Sequence, residues 1–366
     1  MTRFVILSEP GRRAAGFSAA VEAAGLKPPS FVSYAEFLRA PAQLAKAIRH
    51  ADVLRIDSPG GGFDSWRLFA ALGGQDVSNV KESIRRIEPP LPCHRGFGMA
   101  LKHASEVARA ASVAQLVDPV AVETLYDKPL CSEQMRQAGL PVPTALPEIT
   151  CFEDLRSTMQ ARGLMRAFVK LRYGSGGSGV AAVEFFGKRL RAWSATETSD
   201  DGAMYNVPHV RRLLDGDAVR LIDALAQYGV HSEHWIAKLR LSDQACDLRL
   251  LVIGGEPAHA VVRLSASPIT NLHLKNRRAP AEFLRSQIPG ETWERILDVG
   301  KQAAAMFPAH FCIALDIAVH EDRRQIFVLE GNAFGDELRG VTFNGLDPYA
   351  FQVARVRDWV ERRRAA

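Results

Sequence analysis

Two apolar runs, Leu315-Asp316-Ile317-Ala318-Val319 and Ile326-Phe327-Val328-Leu329-Glu330, each carry a single carboxylate in an otherwise strand-like stretch. His320–Gln325 between them is a charged turn, so the spacing predicts an antiparallel hairpin. If Val319 pairs with Phe327 around a loop centred on Arg323, Asp316 stands opposite Glu330. Opposed residues share a face, with Cβ atoms about 5 Å apart. Asn332, two residues on, shares that face if the strand continues. Two carboxylates facing each other among apolar neighbours repel and are costly to bury. A divalent cation would remove the conflict. Two acids and an amide oxygen, with room for phosphate oxygens and water, describe a hard-cation site of the kind that holds Mg²⁺ with a nucleotide. The plainer alternative, a solvent-facing hairpin with scattered polar residues, leaves Asp316 unexplained within the apolar run Cys312–Val319.

A second constraint lies upstream, in Phe168-Val169-Lys170-Leu171-Arg172-Tyr173-Gly174-Ser175-Gly176-Gly177-Ser178-Gly179-Val180. A strand delivers a lysine, a glycine-rich loop follows and a second strand leaves. Glycines let backbone N–H groups converge on an anion, the serines add donors and Lys170 adds positive charge. No Gly-Lys-Ser/Thr and helix follow, so this is a loop between strands and not a Walker A loop. The third feature is Asp247-Leu248-Arg249 with Arg263, on a hairpin expected to turn through Gly254-Gly255-Glu256. A three-residue loop there sets Arg263 opposite Asp247. Charged residues inside strands make either a structural salt bridge or an arginine aimed at a transferring phosphate.

A chain of 366 residues is long for one core, and two or three lobes are expected. The first third alternates strands (Phe4–Leu7, Asp52–Asp57) with helices (Arg12–Ala24, Asp64–Leu72), an order that implies a small parallel α/β layer. Gly60-Gly61-Gly62 reads as a plain loop. Helices are expected over 98–111 and 129–138. Strands follow at Ala167–Leu171, Val180–Phe186, Leu248–Ile253, Ala258–Leu264, Cys312–Val319 and Ile326–Glu330, and Pro208–Ala226 reads as a helix. The formal net charge of +5 suits anionic ligands and is too mild to call for nucleic acid. No apolar run is long enough to span a membrane and no signal-peptide pattern opens the chain, so a cytoplasmic location is expected. The five cysteines lack any CxxC pattern, which argues against a disulfide framework or a zinc knuckle.

In this order the motifs resemble the ATP-grasp superfamily, and are most similar to its glutathione-synthetase-like and ribosomal-protein glutamate-ligase-like members, as a divergent bacterial branch. The resemblance covers residues 120–340 well and the first hundred in outline. It implies an α/β (α+β) ATP-grasp fold behind an N-terminal Rossmann-like pre-ATP-grasp domain. The lobes would be 1–115, a helical link at 116–145, a lid at 146–232 and a C-terminal metal-bearing part at 233–366. By resemblance Lys128 and Lys170 touch the nucleotide phosphates, and the loop Gly174, Ser175, Gly176, Gly177, Ser178, Gly179 closes over them. Glu233 is the hinge acid, and the backbone of His234, Trp235 and Ile236 reads the adenine edge. Asp247 belongs to the nucleotide site, Arg249 orients the carboxylate and Arg263 steadies an acyl-phosphate. Asn271, in the segment Asn271-Leu272-His273, lies beside the metals. Asp316, Glu330 and Asn332 form the metal triad, with Glu330 bridging two ions.

The resemblance further implies ATP with two Mg²⁺ ions (Mn²⁺ as a substitute). The activity would join a small-molecule or peptide carboxylate to an amine through an acyl-phosphate, with no nucleic-acid or membrane partner and a homodimer as a frequent assembly among relatives. Two alternatives stay open: a kinase that stops at phosphorylation, and a nucleotide-binding protein without turnover.

Overall fold

The computed structural model describes residues 2–365 except 61, 84, 188, 272, 273, 275 and 336. Three sheets organise it. The first is parallel, in the order Ser30–Val32, Phe4–Leu7, Val53–Ile56, Ala114–Gln115. Phe4–Leu7 and Val53–Ile56 are buried along their whole length, as expected of strands covered on both faces. Val5, Leu7, Leu54 and Ile56 pack with Tyr34, Phe37, Phe69 and Phe97. Phe4, Ile6 and Val53 pack on the other side with Phe17 and Val21, and with Phe351, Val356 and Trp359 of the terminal helix Pro348–Ala365. The last element of the chain therefore completes the core of the first.

The helix expected at 98–111 spans Pro90–Ala110. Its prolines stand in the first turn, where no N–H is needed. Gly96 has a close-approach role: a Cβ there would lie 1.8 Å from the Phe69 carbonyl oxygen of the neighbouring helix Phe63–Leu72.

The second sheet is antiparallel, in the order Val230–His234, Arg166–Leu171, Val180–Phe186, Arg189–Thr198, Met204–Leu214, Arg86–Ile87. The helices Phe152–Ala161 and Asp215–Gln227 cover one face through Leu155, Met159, Leu221 and Leu225. This corrects the helix expected at Pro208–Ala226, since Met204–Leu214 is a strand and the helix begins only at Asp215. Pro208, with no N–H for a ladder, falls where the register shifts between the pairs Ser194–Arg211 and Thr196–Asn206.

The third sheet runs Arg277–Pro280, Glu256–Ser265, Gln244–Ile253, Cys312–Val319, Ile326–Asn332, with Arg240–Leu241 paired to Gln244–Ala245. The helix Gly290–Met306 backs it through Ile296, Val299 and Ala303, which share a core with Leu248, Leu250 and Leu315. Among the described residues no helix is long and apolar enough to cross a membrane.

Both central hairpins turn differently from expectation. Ile253 pairs with Glu256, so the loop is the two residues Gly254-Gly255, at φ 59° and 86°, the positive values that a two-residue turn of this kind requires. A register shift between Leu251 and Val252 then sets Asp247 opposite Arg263. In the second hairpin Val319 pairs with Ile326, not Phe327, and a shift between Asp316 and Ile317 sets Asp316 opposite Glu330.

Candidate active site

The second and third sheets face each other across an open cleft of about 700 Å³. Of the residues singled out from sequence, Lys128, Lys170, Gly174, Ser175, Gly176, Gly177, Ser178, Glu233, Ile236, Asp247, Arg263, Asn271, Asp316 and Glu330 line it. Five others stand back from it. Gly179 closes the loop, its N–H bonded to Thr196 Oγ1 at 3.1 Å. The His234 backbone N–H bonds the Thr144 carbonyl. Trp235 packs against Phe168 and Trp193, with ring centroids 5.3 and 5.7 Å apart. Arg249 reaches Asp316 from the side, and Asn332 lies at the end of its strand opposite Ala314. Leu272 and His273 fall outside the described residues.

Charge in the cleft is arranged as a chain of opposites. Lys238 Nζ lies 3.2 Å from Asp247, and Arg263 bridges Asp247 at 2.7 Å and Asp316 at 3.0 Å. Arg249 takes Asp316 with two donors, Nη2 at 3.0 Å. Arg263 is 4% exposed and Asp247 1%, so losing either leaves the other a buried charge short of one partner. Burial alone would raise the Asp316 carboxyl, but the two guanidiniums outweigh it and hold it at about 2. Burial pushes the Lys238 ammonium down, although Asp247 opposes the shift. On the nearer side, Lys128 pairs with Glu330 at 3.0 Å and donates to the Gly174 carbonyl. It therefore touches both the glycine loop and the carboxylate hairpin. Lys170 pairs with Glu233 at 2.5 Å and reaches the Leu329 carbonyl at 3.3 Å.

These contacts revise the reasoning that led to a cation. Asp316 and Glu330 do face each other, but arginines answer one and a lysine the other, so a metal is not required to relieve their repulsion. A metal still fits. A carboxylate has about four acceptor positions, and those of Asp316 and Glu330 are not exhausted by these partners. Asn332, two residues beyond Glu330 on the same strand face, adds an amide oxygen as a further acceptor. Among the described residues no three His, Cys, Asp or Glu side chains gather into a complete cage. Mg²⁺ does not need such a cage, being held by one or two carboxylates with phosphate and water completing its shell.

Sequence reading missed Lys238, Thr270, Phe168, Ile269 and Leu329, which also line the cleft. Lys238 is anchored at 2.6 Å to Thr270 Oγ1. A lone lysine in Ile236-Ala237-Lys238-Leu239, two residues past the expected hinge, was the available signal.

Glu233 supplies a pH test. Burial raises its carboxyl, Lys170 and His231 more than reverse this, and it is held at about 2. A depressed acid contributes stability above its unfolded pKa near 4.5 and loses it as pH falls toward the folded value. The contribution is on the order of 3 kcal/mol. Urea midpoints are expected to fall steeply between pH 5 and about 2 in the wild type and less steeply in Glu233→Gln.

No family model and no curated protein sequence matches the chain. Solved structures do. The ATP-grasp ligase PsnB, complexed with a phosphomimetic variant of its minimal precursor, Mg and ADP, superposes with a TM-score of 0.57 at 17% identity, covering 98% of this chain and 99% of that one. The fold is the ATP-grasp fold. The D-cycloserine synthetase DcsG agrees at a TM-score of 0.58 and 12% identity over 97% of this chain and 99% of its own. The macrocyclase MdnC of Microcystis aeruginosa, bound with its precursor peptide MdnA, agrees at 0.53 and 14% over 97% and 99%. Coverage at both ends means that the ATP-grasp likeness extends through the parallel sheet of the first hundred residues as well as the two sheets of the cleft.

Proposed function

We propose that this chain is an ATP- and Mg²⁺-dependent ligase that joins a carboxylate to an amine through an acyl-phosphate. The observation that carries the proposal is the convergence in one cleft of a glycine loop, Lys128, Lys170 and Arg263 with the opposed pair Asp316 and Glu330. Phosphoryl transfer asks mainly for positioning and charge neutralisation, and these groups provide both. Mg²⁺, held by Asp316, Glu330 and Asn332, would offset phosphate charge.

The chain's own residues do the rest. Lys128 and Lys170 hold the phosphates, and Gly174–Gly179 closes to keep water from the intermediate. Glu233 and the backbone through Ile236 take the adenine edge, while Phe168 and Ile269 offer apolar walls. A substrate carboxylate oxygen, oriented by Arg249, attacks the γ-phosphorus as the bond to the β-phosphate oxygen breaks and ADP leaves. Arg263 steadies the acyl-phosphate. The amine nitrogen then attacks the carbonyl carbon, inorganic phosphate departs and the nitrogen loses a proton.

The reading keeps four lobes at 1–115, 116–145, 146–232 and 233–366, with the carboxylate carried by a small molecule or a peptide. PsnB and MdnC bind precursor peptides, which favours including peptides among the acids tried. The test is ADP release measured over a panel of carboxylates with and without amines. Release that needs both sustains the proposal. Amine-independent release with a phosphorylated product makes the protein a kinase, and tight ATP binding without release makes it a regulatory binder.

A further inference from the structure

Immediately beyond the carboxylate hairpin the chain leaves its strand at Asn332 and enters Ala333 and Phe334. What holds this exit is a histidine from elsewhere. His310 is 5% exposed and lies just before the strand Cys312–Val319 that carries Asp316. Its Nδ1 is 3.1 Å from the Asp118 backbone N, and its Nε2 is 3.1 Å from the Ala333 carbonyl oxygen. A backbone N–H can only donate and a carbonyl can only accept. Nδ1 is therefore the bare nitrogen and Nε2 carries the proton, so the ring is a neutral strut used at both ends.

The two ends matter because of what they join. Asp118 caps the helix Pro119–Tyr126, accepting from Val120 N–H at 3.1 Å. That helix runs directly into Asp127 and Lys128, and Lys128 pairs with Glu330. The other end fixes the carbonyl next to Asn332, which lies two residues beyond Glu330 on the same strand face. Phe334 beyond it packs against Tyr126 and Phe97, at 6.2 and 6.1 Å. One imidazole thus spans the segment that delivers the lysine and the segment that delivers the amide.

We propose that His310 is a positioning residue for the cation site: by gripping the Ala333 carbonyl it fixes the place of Asn332, whose amide oxygen would join Asp316 and Glu330 in holding a divalent ion. The inference rests on the proposed Mg²⁺–ATP site. It touches neither nucleotide nor ion itself, and its action runs through the backbone. Two substitutions separate its two bonds. A glutamine amide reaches the place of Nε2 and can still donate to the Ala333 carbonyl. An asparagine amide reaches only the place of Nδ1 and can still accept from Asp118 N–H.

The experiment is calorimetric titration of ATP into the full chain over a series of Mg²⁺ concentrations, with thermal melts in the absence of nucleotide alongside. His310→Gln is expected to keep the wild-type Mg²⁺ requirement, whereas His310→Asn and His310→Phe need about tenfold more Mg²⁺, the size usual for groups that orient metal ligands. Equal Mg²⁺ requirements in His310→Asn and wild type would overturn the proposal, as would a tenfold rise in His310→Gln. A drop in melting temperature common to the three variants, with unchanged Mg²⁺ dependence, would reduce His310 to a packing role. If His310→Asn does not fold, His310→Phe takes its place beside His310→Gln: a tenfold rise in His310→Phe alone supports the proposal, and a wild-type requirement in His310→Phe overturns it. Wild-type protein that takes up ATP without regard to Mg²⁺ would instead sink the nucleotide–metal reading on which this rests, and the two failures are distinct.

Discussion

Replacing Arg263 with methionine is expected to lower stability by about 3–5 kcal/mol and turnover by about 10²–10³-fold. The guanidinium links two buried acids: it lies 2.7 Å from Asp247 and 3.0 Å from Asp316. Methionine fills similar volume but leaves each carboxylate with a single cationic side, Lys238 for Asp247 and Arg249 for Asp316. Lysine should recover little, because one ammonium on a flexible stem cannot present two directed donors to two acids. The stability loss is coupled to Asp247. In the double variant Asp247→Asn with Arg263→Met, urea unfolding should regain part of the loss while ADP release stays down. Recovery of both together would show that Arg263 serves only to neutralise Asp247.

Glu330→Gln should have the opposite profile. Its side chain is 30% exposed and its partner is Lys128 at 3.0 Å. Losing a pair at that exposure costs about 1 kcal/mol or less. The functional cost is larger, since the substitution takes one of the two carboxylate charges proposed to hold the cation, and among the described residues no group of three His, Cys, Asp or Glu side chains could hold it instead. Half-saturating Mg²⁺ for ATP uptake is expected to rise by about 10²-fold, with a melting temperature close to wild type. A Glu330→Gln protein with normal Mg²⁺ dependence would place the cation elsewhere.

The architecture was legible where local arithmetic applies, and the two hairpins show how far that reaches. Opposition of Asp316 to Glu330 and of Asp247 to Arg263 followed from assumed loops, and both loops are in fact one register step tighter. In each hairpin a bulge between turn and site restores the expected pairing, so the faces came out right although the turns did not. Turn type depends on backbone angles at Gly254-Gly255, and a bulge leaves no mark in hydrophobic alternation.

Long-range pairing was not legible at all. Arg249 meets Asp316 because Gln244–Ile253 lies beside Cys312–Val319, a neighbourhood set by sheet order rather than by any hairpin. That is why the two acids looked unanswered in the sequence. Met204–Leu214 was misread for a related reason: its alternation is broken by Pro208 and by Arg211-Arg212, and only pairing with Arg189–Thr198 makes it a strand. Lys238 escaped notice because its partners, Asp247 and Thr270, come from two other segments. The ATP-grasp likeness, by contrast, rests on motif order along the chain, and order survives such local errors.

Titration of ATP into the wild-type protein, with Mg²⁺ present and with Mg²⁺ chelated, puts the claim to its most direct trial. A saturable one-to-one uptake that needs Mg²⁺ and weakens at least tenfold on chelation is the expected result. Uptake of equal strength in both conditions, or none in either, would contradict it.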